Sequence, residues 1–178
     1  GTDGGGIFLT TNYGVDWHAV NNGLSVLNVR CITAKDNNIF AGTYGGGVFF
    51  STDTGSTWTA VNKGLSELNV SCIAVKGDNI FAGTYGGGVF LSTDNGSNWT
   101  AVNSGLSNLY VQSIAISNNK IFAATWGEGI FLSSDDGNNW TAMNIGLSNL
   151  KVRAIAISGN KVVAGTGGGS IFLSQNDG

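Results

Sequence analysis

The chain has 178 residues, enough to bury a substantial core as one domain, and carries 29 Gly and no Pro. Only 11% of its residues are charged while 10% are aromatic, which excludes a disordered low-complexity tract. The net charge of −3, with Arg30 and Arg153 as the only arginines, leaves no basic stripe for nucleic acid, and no apolar run is long enough to span a bilayer.

Many glycines among aromatic and β-branched residues predict short strands joined by tight turns. The chain opens in mid-motif: Gly1-Thr2 matches Gly42-Thr43, and no signal peptide is read. Residues 1–22 therefore supply a third and a fourth strand. Four strands follow, near 28–35, 38–44, 47–52 and 57–62, and the set returns at +41. In the next unit VSCIAV (Val70 to Val75) is the first strand, and the Lys76-Gly77-Asp78-Asn79 turn leads into NIFAGTY. After Gly86-Gly87-Gly88 comes VFLST, and after Asp94-Asn95-Gly96 comes NWTAVN. Linking segments such as GLSELNV are expected to hold a short helical or irregular turn.

The period is unbroken. Trp17, Trp58, Trp99 and Trp140 share one slot, Gly14, Gly55, Gly96, Gly137 and Gly178 another, and Leu24, Leu65, Leu106 and Leu147 a third. Four strands in 41 residues match one propeller blade, whose two apolar faces require neighbours on both sides. The predicted fold is all-β: a β-propeller of four-stranded antiparallel blades. Its units are 1–22 (third and fourth strands), full blades at 23–63, 64–104 and 105–145, and 146–178 (first three strands). About four blades are present, with GTGGGSIFLSQNDG repeating GTDGGGIFLTTNYG, and part of a larger ring is favoured over a self-closing domain. Incomplete terminal blades leave edges open to self-association. Cys31 and Cys72 occupy one repeat position, filled by Ser113 and Ala154 in later copies, which favours two small buried residues over a disulfide.

The turn between third and fourth strands reads STDTGSTW (Ser51, Asp53, Gly55, Trp58), STDNGSNW (Ser92, Asp94, Gly96, Trp99) and SSDDGNNW (Ser133, Asp135, Gly137, Trp140), with a degenerate TTNYGVDW at Thr10 to Trp17. Each carboxylate is placed to accept backbone N–H groups of its own turn, the Gly supplies positive φ, and the Trp caps the layer between blades. A calcium loop is rejected because each turn offers too few oxygen ligands. The recurring Ser-x-Asp-x-Gly-x-x-Trp resembles the Asp-box, the bacterial-neuraminidase-type repeat of sialidases, sortilin-like and xyloglucanase-like propellers and a photosystem assembly factor group. The resemblance covers essentially the whole chain and implies that the box is a structural hairpin on the rim, away from the ligand face.

A sialidase would need an arginine triad, which two arginines cannot form. A general glycosidase needs two carboxylates at a defined separation. The remaining acids, Asp3, Asp16, Asp36, Glu67, Asp78, Glu128, Asp136 and Asp177, mostly fall in turns and read as solvated surface charges. His18, the lone histidine, is no metal site, and the Gly triplets open no helix, so no cofactor is expected. The glycosylation sequons at Asn69, Asn98 and Asn139 read as repeat positions, and the Asn-rich, iterated character looks bacterial, with an extracellular or periplasmic location.

Function is sought where the repeat varies. The loop between second and third strands reads Asp3-Gly4-Gly5, Tyr44-Gly45-Gly46, Tyr85-Gly86-Gly87, Trp126-Gly127-Glu128 and Gly167-Gly168-Gly169. The crossover to the next blade carries Asn28 and Arg30, Asn69 and Ser71, Tyr110 and Gln112, then Lys151 and Arg153. In a propeller both lie on one face. Tyr44, Tyr85, Tyr110, Trp126, Glu128, Arg30 and Arg153 are the candidate ligand-binding residues, suited to a glycan or a protein or peptide partner. The expected function is a non-enzymatic binding or scaffold module. The alternatives are a xyloglucanase-like glycoside hydrolase whose acids lie in other blades or a second domain, and a purely structural or assembly role.

Overall fold

A computed structural model of the chain describes residues 1–174; residues 175–178, with Asp177 and the last copy of the repeat glycine, lie outside them. The strands form five antiparallel sheets in chain order. β1 (Phe8–Leu9) pairs with β2 (His18–Ala19). The next sheet is β3 (Val29–Lys35), β4 (Asn38–Thr43), β5 (Gly47–Ser51) and β6 (Thr59–Ala60). It is followed by β7 (Val70–Lys76), β8 (Asn79–Thr84), β9 (Val89–Ser92) and β10 (Thr100–Ala101), and then by β11 (Val111–Ser117), β12 (Lys120–Thr125), β13 (Gly129–Ser133) and β14 (Thr141–Ala142). The last sheet has three strands, β15 (Val152–Ser158), β16 (Lys161–Thr166) and β17 (Ile171–Ser174). Within each sheet strands neighbour in sequence order, and the first strands β3, β7, β11 and β15 lie against one another.

Each expected strand forms, but the fourth is short: two residues instead of six. A side chain takes over where it stops. The Asn62 amide accepts the Val48 N–H at 2.7 Å and donates to the Gly46 carbonyl at 2.8 Å. Asn21, Asn103 and Asn144 do the same in their own units. The ladder thus continues through a carboxamide, which pairs the Val48 N–H and the Gly46 carbonyl beyond the end of the short strand. The linking segments are irregular turns, and no helix occurs among the described residues.

The core lies between sheets, in layers that repeat. One layer packs Phe40 and Val48 of one sheet against Val70, Ile80, Ala82 and Phe90 of the next, with Leu65 and Trp99 closing it. The next repeats this with Phe81, Val89, Leu106, Val111, Ile121, Ala123, Phe131 and Trp140. Trp58, Trp99 and Trp140 are each 4% exposed, and their indole N–H groups donate to the carbonyls of Val20, Val61 and Val102 on the preceding sheet at 2.7–2.9 Å. Each tryptophan therefore serves the blade before its own, as a plug whose one polar atom is satisfied.

Cys31 and Cys72 are free thiols. Burial, followed by the nearby Cys72 thiol, pushes Cys31 up to about 12, and burial raises Cys72 to about 11. Not every turn acid is a lone surface charge. Asp78 and Asp136 each lie 2.6 Å from a lysine of another unit, Lys35 and Lys76 respectively. The exposure of these pairs keeps their contribution small.

Candidate functional site

The aspartate turns are built by their own residues. The Asp53 carboxylate accepts from the Ser51 hydroxyl at 2.7 Å, the Thr57 N–H at 2.8 Å and the Thr57 hydroxyl at 2.6 Å. The Ser51 hydroxyl oxygen in turn accepts the Gly55 N–H at 2.9 Å, where the backbone passes through φ 58° at Thr54 and 93° at Gly55. Hydrogen bonds from Thr57, side chain first, hold the Asp53 carboxyl down at about 2. Asn98 and Asn139 likewise lower Asp94 and Asp135. With their carboxylates committed inside the turn, these residues have a local structural task. In the degenerate copy Asn12 stands in for Asp, accepting from Thr10 and from the Asp16 N–H.

The variable face is assembled by backbone pairing. Tyr44, Tyr85 and Trp126 bridge to Asn69, Tyr110 and Lys151 of the following crossover. Two N–H groups of each glycine loop donate to a single leucine carbonyl: Gly45 and Gly47 to Leu68, Gly86 and Gly88 to Leu109, Gly127 and Gly129 to Leu150. This fixes each ring at the seam between two blades. Tyr44 and Tyr85 meet edge-to-face with centroids 6.1 Å apart. The Arg30 guanidinium lies 5.4 Å from the Tyr44 centroid, and the Arg153 guanidinium and the Lys151 ammonium lie 4.6 and 5.7 Å from that of Trp126.

Between the rings is a cleft of about 160 Å³ lined by Tyr85, Tyr110, Gln112, Trp126 and Arg153. The Tyr85 hydroxyl reaches the Gln112 amide oxygen at 3.3 Å. Tyr44 and Tyr110 remain 48% and 53% exposed, so the strip presents ring surface to solvent. Of the seven candidate residues, Tyr85, Tyr110, Trp126 and Arg153 line one cleft, and Tyr44 and Arg30 extend the strip along the previous seam. Glu128 is not among the cleft-lining residues. Its side chain is exposed, and its carbonyl accepts from Asn144. Gln112 and Lys151 complete the surroundings of the rings. Their place, two residues from Tyr110 and Arg153 on strands of period two, was a signal that both share that face.

No curated protein matches the sequence. Among solved structures, an ancestral GH74 enzyme is 25% identical with a TM-score of 0.72, covering 91% of this chain and 24% of its own. The extracellular domain of a hybrid two-component system from B. thetaiotaomicron is 26% identical with a TM-score of 0.76, over 98% of this chain and 24% of that one. YCF48 bound to D1 peptide is 19% identical, TM-score 0.69, covering 96% of this chain and 58% of its own. The chain thus spans about a quarter of the first two. These matches correct the expectation that the chain is non-enzymatic: three GH74 enzymes share its fold over 91–98% of its length. The fold is shared with YCF48 propellers and with a named propeller domain. That domain, described as the DUF6242 beta propeller domain, matches residues 2–106 and 89–178, and the chain belongs to its family.

Proposed function

We propose that these blades form the glycan-binding part of a glycoside hydrolase propeller, in which the strip of Tyr44, Tyr85, Tyr110 and Trp126 provides sugar-stacking subsites. The observation that carries this reading is the cleft lined by two tyrosines, a tryptophan, a glutamine and an arginine on the variable face. Flat aromatic faces match the apolar faces of pyranose rings, while Gln112 and Arg153 supply hydroxyl-directed hydrogen bonds. No carboxylate lines the cleft, so the acid and base of the reaction belong to other parts of the parent ring. The similarity to an ancestral GH74 enzyme supports the same class, and the extracellular domain of the two-component system supports an extracellular or periplasmic bacterial setting.

Calorimetric titration of the chain with β-1,4-linked gluco-oligosaccharides tests the proposal, beside a panel of peptides. Each ring stacked on a sugar adds about 0.5–1.5 kcal/mol beyond its buried area. Trp126→Ala should therefore weaken binding by about 10-fold, burial included, with thermal stability retained. A folded chain that binds no oligosaccharide at millimolar concentration, or binds only peptides, overturns the reading. So does a Trp126→Ala variant with wild-type affinity for every sugar.

A further inference from the structure

Each first strand carries a β-bulge at the same place, where the register breaks between Val29 and Cys31, Val70 and Cys72, Val111 and Ser113, and Val152 and Ala154. The residue left out of the ladder is Arg30, Ser71, Gln112 or Arg153, and a bulge re-aims such a side chain. Two of the four are satisfied within the fold. The Ser71 hydroxyl donates to the Gly83 carbonyl at 2.9 Å, and the Gln112 amide oxygen accepts from the Tyr85 hydroxyl at 3.3 Å. The two arginines differ: among the described residues neither guanidinium makes a hydrogen bond or an ion pair.

Arg153 stands at an internal seam, where a backbone bridge between Trp126 and Lys151 joins the two sheets that form it. The Arg153 guanidinium lies 4.6 Å and the Lys151 ammonium 5.7 Å from the Trp126 ring centroid, so two cations share one indole in a chain of net charge −3. The next loop head admits this arrangement. A Cβ at Gly167 would collide with the Trp126 ring, so the missing side chain there makes room for the indole. A guanidinium lying on an aromatic face keeps its N–H donors in its own plane, open to a bidentate acceptor. The cleft that Trp126 and Arg153 border has a volume of about 160 Å³, and no carboxylate lines it.

Resting on the sugar-stacking role proposed above, we infer that this seam is a subsite for a hexuronic acid residue, whose carboxylate is held by Arg153 with Lys151 beside it. A pyranose ring seated among the aromatic side chains carries its C6 group equatorially at the rim, where a guanidinium edge can meet it. A neutral sugar leaves two neighbouring cations uncompensated, whereas a uronate brings the one charge that attracts both. A flat ring bearing a carboxylate answers the aromatic walls and the cations together. The carboxyl end of a peptide answers only the cations.

Calorimetric titration with two tetrasaccharides of one linkage decides the matter: cellotetraose and the β-1,4-linked tetramer of glucuronic acid, which differ only in carboxylate for hydroxymethyl at C6. The wild type should bind the acidic tetramer about 10-fold tighter, the advantage of a charge-assisted over a neutral hydrogen bond, and the ratio should shrink as salt is raised. Arg153→Gln, at an exposed position, should bring the ratio close to one. Lys35→Gln removes the same charge at the far end of β3 and should leave the ratio as it is. Far-ultraviolet circular dichroism establishes that each variant is folded. Equal wild-type affinity for the two tetramers overturns the inference while the sugar-stacking reading stands. A preference that survives Arg153→Gln, or that Lys35→Gln abolishes equally, overturns it too. Binding of neither tetramer, with or without binding of a peptide through its free carboxyl end, overturns the inference and the sugar-stacking reading together.

Discussion

Replacing Trp99 by alanine removes an indole that is 4% exposed and closes the layer formed by Phe40, Val48, Leu65, Val70, Ile80 and Phe90. Truncating a buried aromatic to alanine costs about 3–5 kcal/mol through lost transfer energy and the cavity left behind. The 2.7 Å bond from the indole N–H to the Val61 carbonyl is lost as well, at about 1 kcal/mol. With a urea m-value of about 2–3 kcal/mol/M for a chain of this size, the midpoint should fall by about 1.3–3 M. The internal control is Trp17→Ala, where the same residue type on the same turn is 59% exposed and should change stability by less than about 0.5 kcal/mol. Because Trp99 joins neighbouring sheets, its loss should also lower the m-value, since terminal blades then unfold separately. Equal midpoints for the two variants would refute the plug assignment, for burial is the only large difference between them.

Gly105→Ala and Gly146→Ala carry the same positive-φ strain, about 1–2 kcal/mol, but only Gly105→Ala adds a collision with the Trp140 carbonyl. Thermal scans should therefore show a much larger loss of Tm for Gly105→Ala. The Asp53 carboxyl is depressed from 3.8 to about 2, so its contribution is complete above pH 3.8 and disappears as pH falls through 2. Asp53→Asn should flatten that acid limb in urea titrations at pH 2–5. The thiols behave in the opposite sense: with Cys31 and Cys72 raised from 9.0 to about 12 and 11, the folded state favours the protonated form. Their stabilisation is full below pH 9 and falls as pH rises through 11–12, and native Cys72 should react with iodoacetamide at pH 8 far more slowly than in urea.

Strand order, the aspartate turns and the buried tryptophans were legible because each is written in residues with few alternatives. An Asp-x-Gly turn needs positive φ, and a Trp recurring between apolar runs needs a layer to fill. The length of the fourth strand was not legible. Asn62 and its copies look like loop residues, and their bridging role depends on the depth at which Val48 and Gly46 sit in the sheet. The aromatic strip was half legible. Chain position placed Tyr44, Tyr85 and Trp126 on one face, but the exclusion of Glu128 from the cleft lining depends on side-chain direction, which blade-to-blade alignment does not carry.

The paired N–H donors of each glycine loop separate two properties that usually vary together. The loop path is held by main-chain bonds to Leu68, Leu109 and Leu150, while the side chain at its head takes no part in them. Tyr44, Tyr85 and Trp126 therefore occupy interchangeable sockets, and substitution at one head alters the surface chemistry of a single seam without re-routing the chain. Under the proposed function, such a frame lets recognition diverge one blade at a time, with each trial residue presented on a loop already held by main-chain bonds. A repertoire of binding surfaces could be drawn from this one architecture by varying the loop-head positions 44, 85 and 126 alone.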